Sequence, residues 1–88
     1  MMATAADKAF DTCVVVFSAW RDTRAAHAEK ATAFARGRTA TNRTALAEVS
    51  RAFAEASRTL AEARTRFQAA AEAMASEVAN APGQGPAP

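Results

Sequence analysis

The sequence contains no isoleucine and no tyrosine, and only two leucines, Leu46 and Leu60. β-Branched aliphatic residues are therefore few outside one short valine run, and a sheet has little apolar material to build from. Cysteine is nearly absent: Cys13 stands alone, which excludes an internal disulfide and the disulfide framework of small secreted domains. His27 is the only histidine, so a zinc site of the usual His and Cys ligands lacks its partners. No apolar run approaches the ~20 residues that a membrane-spanning helix needs; the longest is Cys13-Val14-Val15-Val16-Phe17. Neither charge sign dominates, since 11 basic residues face 9 acidic ones. Nucleic acid is not expected as a partner, because its recognition asks for a clustered basic face. Glycine and proline are confined to Gly37 and to the last seven residues.

What the chain does have is alanine, 27 of 88 residues. Alanine loses no side-chain entropy in a helix and ranks first in helix propensity. The punctuation then divides the chain in three. A first helix is expected over about 5–35, opened by Thr4 and Asp7 in the capping-box pattern. A turn is expected over 36–43, with Gly37 entering the left-handed region just past the helix end. A second helix over about 44–79 would be capped by Asn42 or Thr44. Residues 1–80 thus read as one helical hairpin, and the Pro/Gly segment 81–88 as a disordered tail. Val14-Val15-Val16 favours strand locally, but no second strand exists to pair with it, and the run is read as helix.

The second helix carries an internal repeat of seven. Leu46, Phe53, Leu60, Phe67 and Met74 fall on every seventh position, and Val49, Ala56, Ala63 and Ala70 follow each by three. An apolar a/d seam of this period makes helices pack as a left-handed coiled coil. Glu48, Glu55 and Glu62, with Arg51, Arg58 and Arg66 three or four residues on, form a solvated charged face.

The first helix admits a matching frame of Phe10, Cys13, Phe17, Trp20, Arg24, His27, Ala31 and Phe34. If the chain folds about Ala40, facing numbers sum to 80, and bulky residues tend to meet small ones: Phe10 with Ala70, Cys13 with Phe67, Phe17 with Ala63 and Arg24 with Ala56. Alternation of sizes lets layers interdigitate. The expected fold class is all-α, an antiparallel two-helix coiled-coil hairpin completed by oligomerisation or by a partner helix. Its packing seam is Phe10, Cys13, Phe17, Trp20, Phe34, Leu46, Val49, Phe53, Leu60, Phe67 and Met74.

Three successive valines cannot all face one neighbour, since consecutive helical residues lie ~100° apart. The surplus points to a partner interface at Val14, Val15, Val16 and Arg24, where Arg24 either snorkels or pairs with a partner's carboxylate.

No catalytic, metal-binding or cofactor-binding residues are expected. Cys13 lies in an apolar run, which disfavours the reactive thiolate. Arg36, Arg38 and Arg43 cluster at the turn, where they complement the end of a helix dipole or meet a small anion. Met1 to Phe10 lacks a basic leader, so the expected location is intracellular and cytoplasmic. The functional expectation is a non-catalytic interaction module, a small structural or adaptor subunit whose partners are protein helices, its own or another subunit's. The alternative is an amphipathic binder lying on a lipid or hydrophobic granule surface.

Overall fold

A computed structural model describes residues 4–80. They form two helices, α1 (Ala5–Arg36) and α2 (Ala40–Asn80), packed against each other as a helical hairpin, with no strand among the described residues. Residues 81–88, expected as a disordered tail, lie outside the described residues. Val14-Val15-Val16 is helical, its strand preference overridden where no pairing edge exists.

Each helix end shows how the local sequence sets it. At the start of α1 the Asp7 amide donates to Thr4 Oγ1 at 3.1 Å and the Thr4 amide donates to Asp7 Oδ2 at 3.1 Å, a reciprocal capping box. The connection is shorter than the expected 36–43. Thr39, not Asn42 or Thr44, caps α2: its Oγ1 accepts from the Asn42 amide at 3.1 Å and its carbonyl from the Arg43 amide at 3.0 Å. Asn42 sits inside the first turn of α2 and reaches back. Its side-chain amide donates to the Gly37 carbonyl at 2.7 Å and, more weakly, to the Ala33 carbonyl at 3.4 Å. Both carbonyls also accept a backbone amide, that of Ala33 from Gly37 and that of Gly37 from Thr39, and Asn42 adds a second donor from the other helix. Gly37 is extended (φ −149°, ψ 104°), not left-handed as expected, and its amide still closes on the Ala33 carbonyl at 3.0 Å. With Asn42 bonded to its carbonyl, Gly37 needs no positive φ.

The earlier start of α2 shifts the register. Facing numbers sum to 77 where Phe10 meets Phe67 and where Trp20 meets Ser57, and to 80 where His27 meets Phe53. The interior is thin. Among the described residues only Ala6 (7% exposed), Leu60 (9%) and Ala63 (5%) are buried, and no side chain is fully enclosed. At ~1.5 Å per residue, α2 with 41 residues outreaches α1 with 32. Met74 and Val78 accordingly stand 41% and 57% exposed near the end of α2.

Candidate functional site

Helix α1 meets α2 along a narrow stripe, and this stripe is not the one expected. Ala6 is buried, and Ala9, Cys13, Val16, Trp20, Thr23, His27, Lys30 and Phe34 are half-buried. Cys13, Trp20, His27 and Phe34 belong to both frames, but the alternate positions move back by one residue. Ala9, Val16 and Thr23 face inward where Phe10, Phe17 and Arg24 were expected, and those three are exposed. The physical reason lies in size. Among the described residues Ala63 and Ala6 are the most thoroughly covered, ahead of Leu60, and small residues in a seam let two backbones approach closely. Phenyl rings at the same positions would hold the helices apart. In α2 the seven-residue repeat lies toward α1: Leu60 and Ala63 are buried, while Leu46, Val49, Phe53, Ala56, Phe67 and Ala70 are half-buried. Met74 departs from the repeat, being exposed beside Thr4 and the first residues of α1, Ala5 and Ala6.

The displaced aromatics line the edge of the hairpin. The Phe10 ring lies 5.7 Å from that of Phe67, tilted by 58°. Phe17 stacks on Trp20 at 5.7 Å, and Trp20 and His27 approach Phe53 at 5.9 and 5.5 Å. Trp20 joins the two helices directly, since its indole Nε1–H donates to Ser57 Oγ at 3.0 Å. That bond satisfies the one polar atom of a part-buried indole. Arg24, expected in the seam, is exposed and carries its guanidinium carbon 5.6 Å from the centre of the Trp20 ring, within cation–π range.

Two shallow apolar grooves flank α1. One, of about 450 Å³, is lined by Phe10, Cys13, Val14, Phe17, Trp20, Leu60 and Arg64. The other, of about 380 Å³, is lined by Val15, Val16, Ala19, Ala52, Glu55, Ala56 and Thr59. Between them the outer face of α1 bears large apolar side chains in water: Phe10 and Val14 are each 52% exposed, Phe17 48% and Val15 69%. Of the residues expected at a partner interface, Val14, Val15 and Arg24 lie on this outer face, whereas Val16 turns toward α2. Phe10 and Phe17 join that face although they were expected in the seam. Their 3–4 spacing with Val14 was the available signal.

Among the described residues no three His, Cys, Asp or Glu side chains are grouped to hold a metal ion, and no helix is long and apolar enough to cross a membrane. Cys13 is a free, half-buried thiol, and His27 packs against a phenyl ring. At the turn, the Arg38 guanidinium carbon stands 6.0 Å from the centre of the Phe34 ring.

The chain matches no protein-family model, no curated protein and no solved structure. Its function is therefore argued from its own surface.

Proposed function

We propose that the protein is a non-catalytic helical interaction module, a small subunit that completes its fold by packing α1 against helices of a partner in a coiled-coil arrangement. The observation that carries this reading is the exposed stripe of Phe10, Val14 and Phe17 on a hairpin with only three buried residues among those described. Apolar residues at i, i+4 and i+7 form one helical face, and such a face is favoured by withdrawal from water, at ~25 cal/mol per Å². Here α2 covers the neighbouring face and leaves this one open.

A lipid or hydrophobic granule surface is the second reading. It is supported by Val15, which at 69% exposed widens the apolar surface beyond a single stripe. The charges on the outer face of α1 favour the protein partner. Asp7, Asp11 and Asp22 alternate with Lys8, Arg21 and Arg24, while helices that lie on anionic membranes carry mainly Lys and Arg on the polar face.

The test is lysine-directed cross-linking in the native cell, followed by mass spectrometry of the tagged chain. Lys8 lies beside the open face and is exposed. Cross-links from Lys8 to a protein helix, in this chain or another, are the expected result. A chain recovered without protein cross-links that floats with vesicles would overturn the module reading in favour of the surface-binding one.

A further inference from the structure

The outer face of α1 is complementary to itself. Asp7, Phe10, Val14, Phe17, Arg21 and Arg24 are all exposed and follow one another at alternating spacings of three and four. That is an a/d stripe along the edge of α1, beside the face that packs on α2, with Phe10 still reaching Phe67. Its two ends differ in sign. Asp7, Lys8 and Asp11 give the N-terminal end a net negative charge, Arg21, Asp22 and Arg24 give the C-terminal end a net positive one, and Val14 and Phe17 lie between them.

We propose that the occupant of this face is a second copy of the chain, with the two α1 helices antiparallel about a two-fold axis passing between Val14 and Phe17. This inference rests on the interaction-module reading and deepens it by naming the partner. In that register Val14 of each copy packs against Phe17 of the other. Asp7 meets Arg24, and Phe10 lies under the stem and guanidinium of Arg21, an arrangement that suits a cation over a ring. The flanking charges follow the same rule, Asp11 falling beside Arg21 and Lys8 beside Asp22. A parallel pairing would set Asp11 against Asp11 and Arg21 against Arg21, so charge alone selects the antiparallel one. The two-fold axis makes every contact occur twice, as an isologous interface requires.

The exposed apolar area is small for a specific interface, so the dimer is expected to be weak and to dissociate on dilution. Phe10, Val14 and Phe17 are about half exposed. With ~150–250 Å² for a whole aromatic side chain, the three leave roughly 250 Å² open per copy. Specific interfaces bury ~1,200–2,000 Å² in total, so the charged and small residues between Asp7 and Arg24 must supply the rest. A different protein would need no such internal symmetry, and a lipid surface would not select it.

Sedimentation of the full chain from about 1 to 100 µM tests the proposal, a range that brackets micromolar affinities. The expected result is a dimer that dissociates on dilution. Val14→Asp should sediment as a monomer, and Val15→Asp, off the stripe, should stay within about threefold of wild type, well below one tenfold step in affinity. Should Val14→Asp lose its helix, the charge reversals decide. Asp11→Arg and Arg21→Asp each turn two attractive contacts into repulsive ones, a weakening of about 4- to 30-fold. The double variant restores opposite charges and should associate more tightly than either single reversal, while remaining weaker than wild type because Arg21→Asp also removes the cation over Phe10. Single reversals without effect, or a double variant no tighter than the single reversals, overturn the antiparallel register. Disruption by Val15→Asp but not by Val14→Asp moves the interface to another face and overturns the proposal. A wild type that stays monomeric throughout and ignores phosphatidylglycerol–phosphatidylcholine vesicles overturns self-association alone. A monomer that binds those vesicles overturns the module reading as well.

Discussion

Leu60 is the largest of the three buried side chains among the described residues, 9% exposed, and with Phe10, Cys13, Phe17 and Trp20 it lines one of the shallow grooves flanking α1. Leu60→Ala is the most direct probe of the hairpin. Truncation forfeits about 2 kcal/mol in transfer free energy, at ~0.8 kcal/mol per buried methylene. A residual cavity raises the cost of such changes to ~2–5 kcal/mol. The groove beside Leu60 is open, so Phe17 and Trp20 can settle toward the vacated space, and the lower part of that range applies, ~2–3 kcal/mol. For a domain of this size ~1 kcal/mol moves the melting midpoint by ~4–8 °C, so a fall of roughly 10–20 °C is expected. The assay is thermal and urea unfolding followed by helical circular dichroism. It is run at several protein concentrations, because association would add concentration-dependent stability. Leu60→Asp, which places an unpaired charge at the same point, should abolish the cooperative transition. A loss below ~1 kcal/mol for Leu60→Ala, the size of an ordinary surface change, would refute the packing described for α1 and α2.

Further outcomes follow from single contacts. Ser57→Ala leaves the Trp20 indole N–H without its acceptor and should cost about 1 kcal/mol, most of it recovered in Ser57→Thr, as read by urea unfolding. Gly37→Ala should be neutral or stabilising by ~0.4–1 kcal/mol: the backbone there is extended, and an added Cβ would meet only the Asn42 side-chain nitrogen, at 3.5 Å. A destabilised Gly37→Ala variant would mean that the turn uses a positive φ after all. Cys13→Ser and His27→Gln should preserve the fold and association within about 1–2 kcal/mol. Loss of partner binding in either variant while it remains fully helical would reveal a role for that side chain beyond packing.

The second helix was the more legible half of the sequence. Leu46, Phe53, Leu60 and Phe67 are bulky, fall at one heptad position and have no competitor next to them, so one face stands out. In the first helix two stripes one residue apart share Cys13, Trp20, His27 and Phe34 and differ only in whether Ala9 and Val16 or Phe10 and Phe17 fill the alternate layers. Periodicity cannot separate such frames. Residue size alone favours the aromatics inside, but close helix approach favours the smaller Ala9 and Val16, and that is a property of the pair of helices. The turn was ambiguous for a local reason. Thr39, Thr41, Asn42 and Thr44 are all competent caps within six residues. The choice of Thr39 depends on Asn42 reaching the Gly37 carbonyl, a contact between the two helices.

The frame chosen by α1 also ties the hairpin to its outer face. Had the aromatics filled the seam, the open side of α1 would carry Val14 and Val15 with little else that is apolar. By seating alanines inside, the hairpin places Phe10 and Phe17 at the border between two surfaces, each still touching the interior through Phe67 and Trp20. Trp20 then stands between a ring on the outer face and a hydroxyl on α2. Any contact that covers Phe17 would restrict the ring stacked on Trp20, and Trp20 is hydrogen-bonded to the helix opposite. Docking on α1 and packing against α2 are thus coupled through one indole. A partner that binds the outer face would stabilise a hairpin whose own interior is small, by the same mass action that links any ligand to the state it prefers.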